Sequence, residues 1–394
     1  MSHFNHQANR IRLKLQQAAE ADKLFHVSGA EKHQYILGDP VSLELVEQYE
    51  KEMKIQFPEC YKTFVTQVGD GGLSFSSSGA GPYFGIYPFG SSYKELEYSD
   101  KNYDLRRQCL IHPNIREEEW QALIETCEKN PNISHFDGMI SIGGQGCTFI
   151  HCLIMNGPYK GRVVYTSLDE HNPFFTFENN FLDWYERWLD EIISGELIEK
   201  KYFFGWTMKG TESELTTLFL HTKEEYTQIE ILRSLLEKIS TDATAKELIL
   251  QIEKVTKDVK TEIIQVLIKH SYKFARIYLE DLIEYDALSF YKFLLWYAKD
   301  KAIEWLPLIK EEMVKITDVE VLNYCLEVIK EMGIPYSEYI IPFTNSSNDS
   351  IRRLAYIQLR DYPDKSNLLE TFQKGLSDTD SHVVLFSEQA LKKF

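Results

Sequence analysis

No stretch of this 394-residue sequence approaches eighteen uninterrupted apolar residues, so nothing in it reads as a helix that crosses a bilayer. The N-terminal run MSHFNHQANRIRLKLQQAAEADK lacks the apolar core that a secretory leader needs. The six cysteines form no CxxC pair, and their spacing gives no disulfide framework. These absences together point to a reducing cytoplasm.

The chemical motifs are also missing. A phosphate-binding loop needs GxxxxGK[ST] between a strand and a helix, and no Lys-Ser or Lys-Thr follows the glycine clusters GDGG and GQGC. Those glycines are expected to serve tight turns with positive φ. There is no GxSxG elbow, and the histidines are scattered, so no nucleophile is paired with a base. Cys147, His151 and Cys152 lie close together, but alternation along a strand would put Cys152 on the opposite face from the other two. No second Cys/His pair completes four converging ligands. The expectation is a chain that is not an enzyme and has no cofactor and no metal.

What is present is acid and aromatic surface. Net charge is −17, with 18 Lys+Arg against 29 Asp+Glu in residues 1–200 and 25 against 31 in the remainder. The front half therefore carries −11 and the back half −6. Such a surface repels nucleic-acid backbones and attracts a basic protein. With 23 Phe and 23 Tyr there is ample material for burial.

The pattern changes along the chain. Residues 4–24 have Ile11 and Leu15 at helical spacing. Ser42 is a candidate N-cap, and Pro58 a candidate first residue of a helix whose apolar face is Tyr61, Phe64, Val65 and Val68. From residue 69, GDGGLSFSSSGAGPYFGIYPFG signals turns and short strands. Residues 91–137 suggest a helical insertion, entered through Glu117, Glu118 and Glu119, which complement the helix dipole. Strand patterns follow in MISIGG, CTFIHCLIMNG and GRVVYTSL, with a hairpin signal from Asn156 to Gly161. A closing helix places Phe181, Trp184, Tyr185, Trp188 and Ile192 on one face. After about residue 208 only helical segments remain. Ile351, Leu354 and Leu359 are echoed by Val383, Phe386 and Leu391, each pair 32 residues apart and each set preceded by an acidic-polar turn. A period of that size belongs to stacked helix pairs.

The run GAEKHQYILGDPVSLELVEQYEKEMKIQFPECYKTFVTQVGDGG, residues 29–72, resembles the start of the SUKH superfamily, which includes the fungal Smi/Knr-type cell-wall regulators. The resemblance rests on Phe57, Pro58, Glu59, Tyr61 and Phe64, and on the turn from Asp70 to Gly72, where the family more often has Asn-Gly-Gly. It continues through GPYFGIYPF, GQGC, NGPYKGRVVY and the closing helix. It covers roughly residues 26–192, with 91–137 fitting least well.

The resemblance implies an α+β fold, with a small mixed or antiparallel sheet flanked by helices. The expected organisation is an N-terminal helix over 1–25, a SUKH-like domain over 26–205 with the insertion near 91–137, and an all-α HEAT-like region over 209–394. Many bacterial members of the superfamily are similar to immunity proteins that bind and neutralise toxin domains, often nucleases. The expected partner is a protein, in particular a basic toxin domain. The candidate contact residues are Tyr83, Phe84 and Tyr87 beside the glycine-rich turn, with Asp70 next to them; the alternative for the same aromatics is a place in the core. His33 and Tyr35 either line a groove for the partner or hydrogen-bond locally to hold the first loop. The alternative function is a regulatory scaffold whose helical array receives a peptide or protein.

Overall fold

The computed structural model describes every residue except 1–2, 73, 75–76, 92–95, 97–98, 200–202 and 240. The chain forms two compact units, Met1–Lys209 and Gly210–Phe394.

The first unit is built on one antiparallel sheet in the order β1 (Met139–Gly146), β2 (Phe149–Ile154), β3 (Val163–Ser167) and β4 (Phe174–Phe175). The β2–β3 connection is the NGPYKG hairpin, with Gly157 and Gly161 both at positive φ. The glycine-rich segment runs beside the free edge of β1. Tyr87 N–H donates to Ile142 O at 3.0 Å and Phe84 N–H to Gly144 O at 3.2 Å, although only single bridges form there. Gly85 is required at this edge, because its φ is +92° and a Cβ would sit 2.1 Å from the Gly79 carbonyl oxygen.

Alternation along the strands buries both faces of the sheet. Ile140, Ile142, Leu153, Val163 and Tyr165 face one core. There they meet α1 (His3–Ala21), α2 (Leu43–Met53), α3 (Glu59–Gln67) and α5 (Phe181–Ile193). Met139, Ile150, Cys152, Ile154 and Val164 face a second core covered by α4 (Glu117–Lys129) through Trp120 and Ile124. Of the segment 91–137, expected as a helical insertion, the helix Glu117–Lys129 supplies the cover for the second face, while 101–116 is turns and irregular chain. All five aromatic and aliphatic positions singled out on α5 have no exposed surface.

Helix starts follow local chemistry. Ser42 Oγ accepts from Leu45 N–H at 3.2 Å, and Asn180 Oδ1 accepts from Asp183 N–H at 3.1 Å. Pro58 is the residue before α3 rather than its first residue, so it acts as the cap position with extended ψ of 138°. Cys147 departs from the strand reading. It occupies the β1–β2 turn at φ +49° and is exposed, because β2 begins only at Phe149.

Among the described residues the second unit holds six helix pairs. The second helices of the pairs begin at Glu225, Lys257, Ala287, Val319, Asp349 and Ser381, so the repeat length alternates between 32 and 30 residues. Each second helix packs on the next along the array. Five of the six are capped by a side chain that precedes them: Glu224, Asp286, Asp318, Asn348 and Asp380 each accept a backbone N–H of the first turn. Polar side chains tie neighbouring pairs together at nearly the same period. Arg233 reaches Glu262, Lys269 reaches Glu237, Lys292 reaches Glu320 and Lys299 reaches Glu331. This geometry is consistent with a HEAT-like helical region.

Candidate functional site

The sequence candidates divide by exposure. His33 and Tyr35 are buried, at 1% and 5% exposure. Tyr35 N–H donates to His33 Nδ1 at 3.1 Å, and Tyr35 Oη donates to Asp22 Oδ2 at 2.7 Å. Asp22 also accepts the backbone N–H groups of His26 and Val27. Tyr35 stacks on Trp188 with ring centres 5.9 Å apart, and His33 packs edge-on to the same indole. This is the geometry of a loop anchor. Burial pushes the His33 pKa down to about 4.

Tyr83 is also buried. Its hydroxyl donates to the Phe204 carbonyl at 3.0 Å, and Tyr165 Oη reaches the same oxygen at 3.3 Å. Asp70 accepts from Phe89 N–H at 2.7 Å, and burial raises its carboxyl above the usual range. That bond holds the glycine-rich segment from beneath. Tyr87 is partly exposed beside Gly144. Phe84 is 40% exposed, and its ring lies over Gly146, where a Cβ would be 2.6 Å from the ring. The structure therefore brings Tyr83, Phe84 and Tyr87 together along the β1 edge and leaves Phe84 most open to a partner.

Phe84 borders a larger aromatic surface that sequence reasoning missed. Trp206 stacks on Phe174 at 4.8 Å and meets Phe149 edge-on at 5.9 Å. Phe149 stacks on His171 at 5.9 Å, and Phe174 packs against Phe177 at 5.6 Å. All five rings are at least partly exposed. Trp206 Nε1 donates to Gln145 Oε1 at 3.3 Å, which ties the indole to the end of β1 beside Gly146. The only sequence signal was the density of rings in FFTF (174–177) and FFGW (203–206). Aromatic density alone does not distinguish core from surface.

An acidic border adjoins these rings. Asp169 and Glu170 are exposed immediately before His171, and Trp120 Nε1 donates to the Glu170 carbonyl at 2.6 Å. That bond brings the β3–β4 link onto α4, whose exposed positions include Glu117, Glu118, Glu125 and Glu128.

His151 points to the opposite face of β2 from Cys152. It has no exposed surface and is packed among Tyr83, Tyr165 and Trp184. Neither ring nitrogen has a hydrogen-bond partner among the described residues, and burial holds its pKa down at about 3. A neutral, enclosed imidazole of this kind is core. Among the described residues, no group of three or more His, Cys, Asp or Glu side chains could hold a metal ion.

An antiparallel sheet between two helical covers, with an aromatic edge and an acidic border, defines an α+β module. Residues 40–187 match the SMI1 / KNR4 family (SUKH-1), to which the first unit is similar over that stretch. The match leaves α1, Trp206 and the whole helical array outside it. No curated protein and no solved structure matches the chain.

Proposed function

We infer that the chain is an immunity-type binding protein that sequesters a basic toxin domain. The observation that supports this most is the cluster of partly exposed rings, Phe84, Phe149, Phe174 and Trp206, with exposed Asp169 and Glu170 of the β3–β4 link beside His171. Tryptophan and its neighbours provide the hold in such an interface, and charge sets the rate of encounter. A net charge of −11 over residues 1–200 attracts a cationic surface. Of the six sequence candidates, Phe84 and Tyr87 touch the partner, while His33, Tyr35, Asp70 and Tyr83 hold the segments that present them.

The test is affinity capture by the full chain from its source, compared with Trp206→Ala and Phe84→Ala. A basic protein retained by the parent, weakened by both variants and inhibited by the parent in a toxicity or nuclease assay supports the reading. Retention of chaperones alone sinks it.

A scaffold reading has its own observation. Trp296 is half-exposed on the helix Ala287–Tyr297 and lies edge-on to Tyr324 at 6.3 Å on the second helix of the next pair. A partner lost with Trp296→Ala but not with Trp206→Ala would move the function to the array.

A further inference from the structure

We propose that the first unit holds a separate site for a small phosphorylated molecule, at a basic hollow in an otherwise acidic surface. The hollow has a volume of about 460 Å³ and is lined by Lys54, Arg106 and Lys160. No described carboxylate lines it. The three cations come from three separate segments: the residue after α2, the turn at 104–107, and the β2–β3 hairpin. Convergence of like charges is unfavourable unless something of opposite sign offsets it; Asp104 offsets Arg106, which leaves Lys54 and Lys160 facing one space with no described carboxylate lining it. Elsewhere in the unit acids outnumber bases, so the local inversion of sign is not a by-product of composition.

Two of the three cations are positioned by hydrogen bonds. Lys160 Nζ donates to the Gln56 carbonyl at 2.8 Å, which draws the hairpin over the 54–56 segment. Arg106 is held by Asp104 through Nε at 2.8 Å and Nη2 at 2.7 Å. Asn156 braces the same wall, with Nδ2 donating to Arg107 O and Oδ1 accepting from Cys109 N–H. Lys54 is exposed, with φ of +56°, at the end of α2. Guanidinium and ammonium groups arranged around one space suit a multiply charged phosphate better than a single carboxylate.

A second hollow of about 490 Å³ shares Leu105 and Arg106 with the first and is walled by Tyr103 and Pro131. Glu52 and Asp104 stand there with Lys101, Arg106 and Arg107, so its charges are largely balanced within it. It offers partly apolar room for the uncharged part of a ligand. The two hollows together suit a nucleoside di- or triphosphate, with the phosphates at Lys54, Arg106 and Lys160. Their size falls in the range of small-molecule sites. A nucleic-acid strand is disfavoured by the net charge of the unit.

The test is calorimetric titration of the full chain with pyrophosphate and with ATP, both without magnesium. Parent protein is expected to bind ATP saturably at one site and more tightly than pyrophosphate. Lys54→Glu/Lys160→Glu should weaken both by roughly tenfold or more, since each lost charge-assisted contact is worth about that factor. Lys129→Glu/Lys223→Glu makes the same change in net charge at exposed positions elsewhere and should leave binding unchanged. If the glutamate pair unfolds the protein, Lys54→Gln/Lys160→Gln gives the same comparison at lower charge. Equal weakening by the control pair, or no binding of either ligand by the parent at about 1 mM, overturns the proposal. Pyrophosphate binding without any preference for ATP overturns the role given to the second hollow.

Discussion

His151 shows how a single buried side chain links packing to pH. The unfolded chain takes up a proton near pH 6.5, whereas the folded imidazole does so only at about 3, and His33 only at about 4. Stability from this source is complete above pH 6.5 and is lost as the pH falls toward 4. The loss approaches about 1.4 kcal/mol per pH unit for each histidine. Urea midpoints measured between pH 7 and pH 4.5 should therefore decline steadily. His151→Leu removes two ring nitrogens that lack partners, so it is expected to leave stability at pH 7 unchanged or higher by about 1 kcal/mol and to flatten that decline. An unaltered slope in the variant would place the acid sensitivity elsewhere. At the same scale, Gly146→Ala forces a side chain into φ of +91° and into the Phe84 ring. It should cost about 1–3 kcal/mol and weaken partner binding together with Phe84→Ala.

Among the elements, α1 is tied to α5 by carboxylates, Glu186 making the most contacts while Asp183 and Asp190 also accept from Gln7 and Lys14. Glu186 on α5 accepts Arg10 Nε at 2.9 Å, Lys14 Nζ at 2.9 Å and Gln7 Nε2 at 3.0 Å. Burial alone would raise its pKa, but these donors outweigh burial and hold it down to about 2. Glu186→Ala leaves Arg10 and Lys14 without their shared partner and should destabilise the first unit by about 2 kcal/mol, read from the urea midpoint at pH 7. The contribution is present above pH 4.5 and disappears as the pH falls toward 2. Hydrogen exchange should show α1 opening first in that variant. The periodicity of α5 was legible in sequence because five apolar residues at spacings of three and four allow only one buried face. The polar clamp was not, since residues 7–14 and 186 lie some 170 positions apart and no local rule joins them. The candidate site was half legible for the same reason. The glycine-rich turn pointed to Phe84 and Tyr87, but whether a ring is core or surface depends on what the rest of the chain lays over it. That is why the sequence leaves Tyr83 open between contact surface and core, and gives no reading of Trp206.

For the whole molecule, two units with different internal logic carry the charge and the aromatic surface. Capture of a cationic partner by the first unit should slow as salt rises from 50 to 300 mM, chiefly through the association rate, with dissociation little changed. Stopped-flow mixing at several ionic strengths reads this directly, and a salt-insensitive rate would argue against electrostatic steering. In the second unit, Leu326→Ala empties a fully buried position in the fourth pair and should cost about 2–5 kcal/mol. Exchange should quicken most in that pair and its two neighbours, because each pair rests mainly on those beside it. The sequence disclosed the period only at its end, where apolar positions repeat 32 apart; earlier the register survives in the caps rather than in the core residues. Those caps have a genealogical consequence. A pair that brings its own helix-starting side chain is a self-contained unit of inheritance. Duplicating or deleting one block of 30 or 32 residues leaves each of the five capped second helices that remain with its own start signal, so the array can change length between descendants without rewriting those pairs.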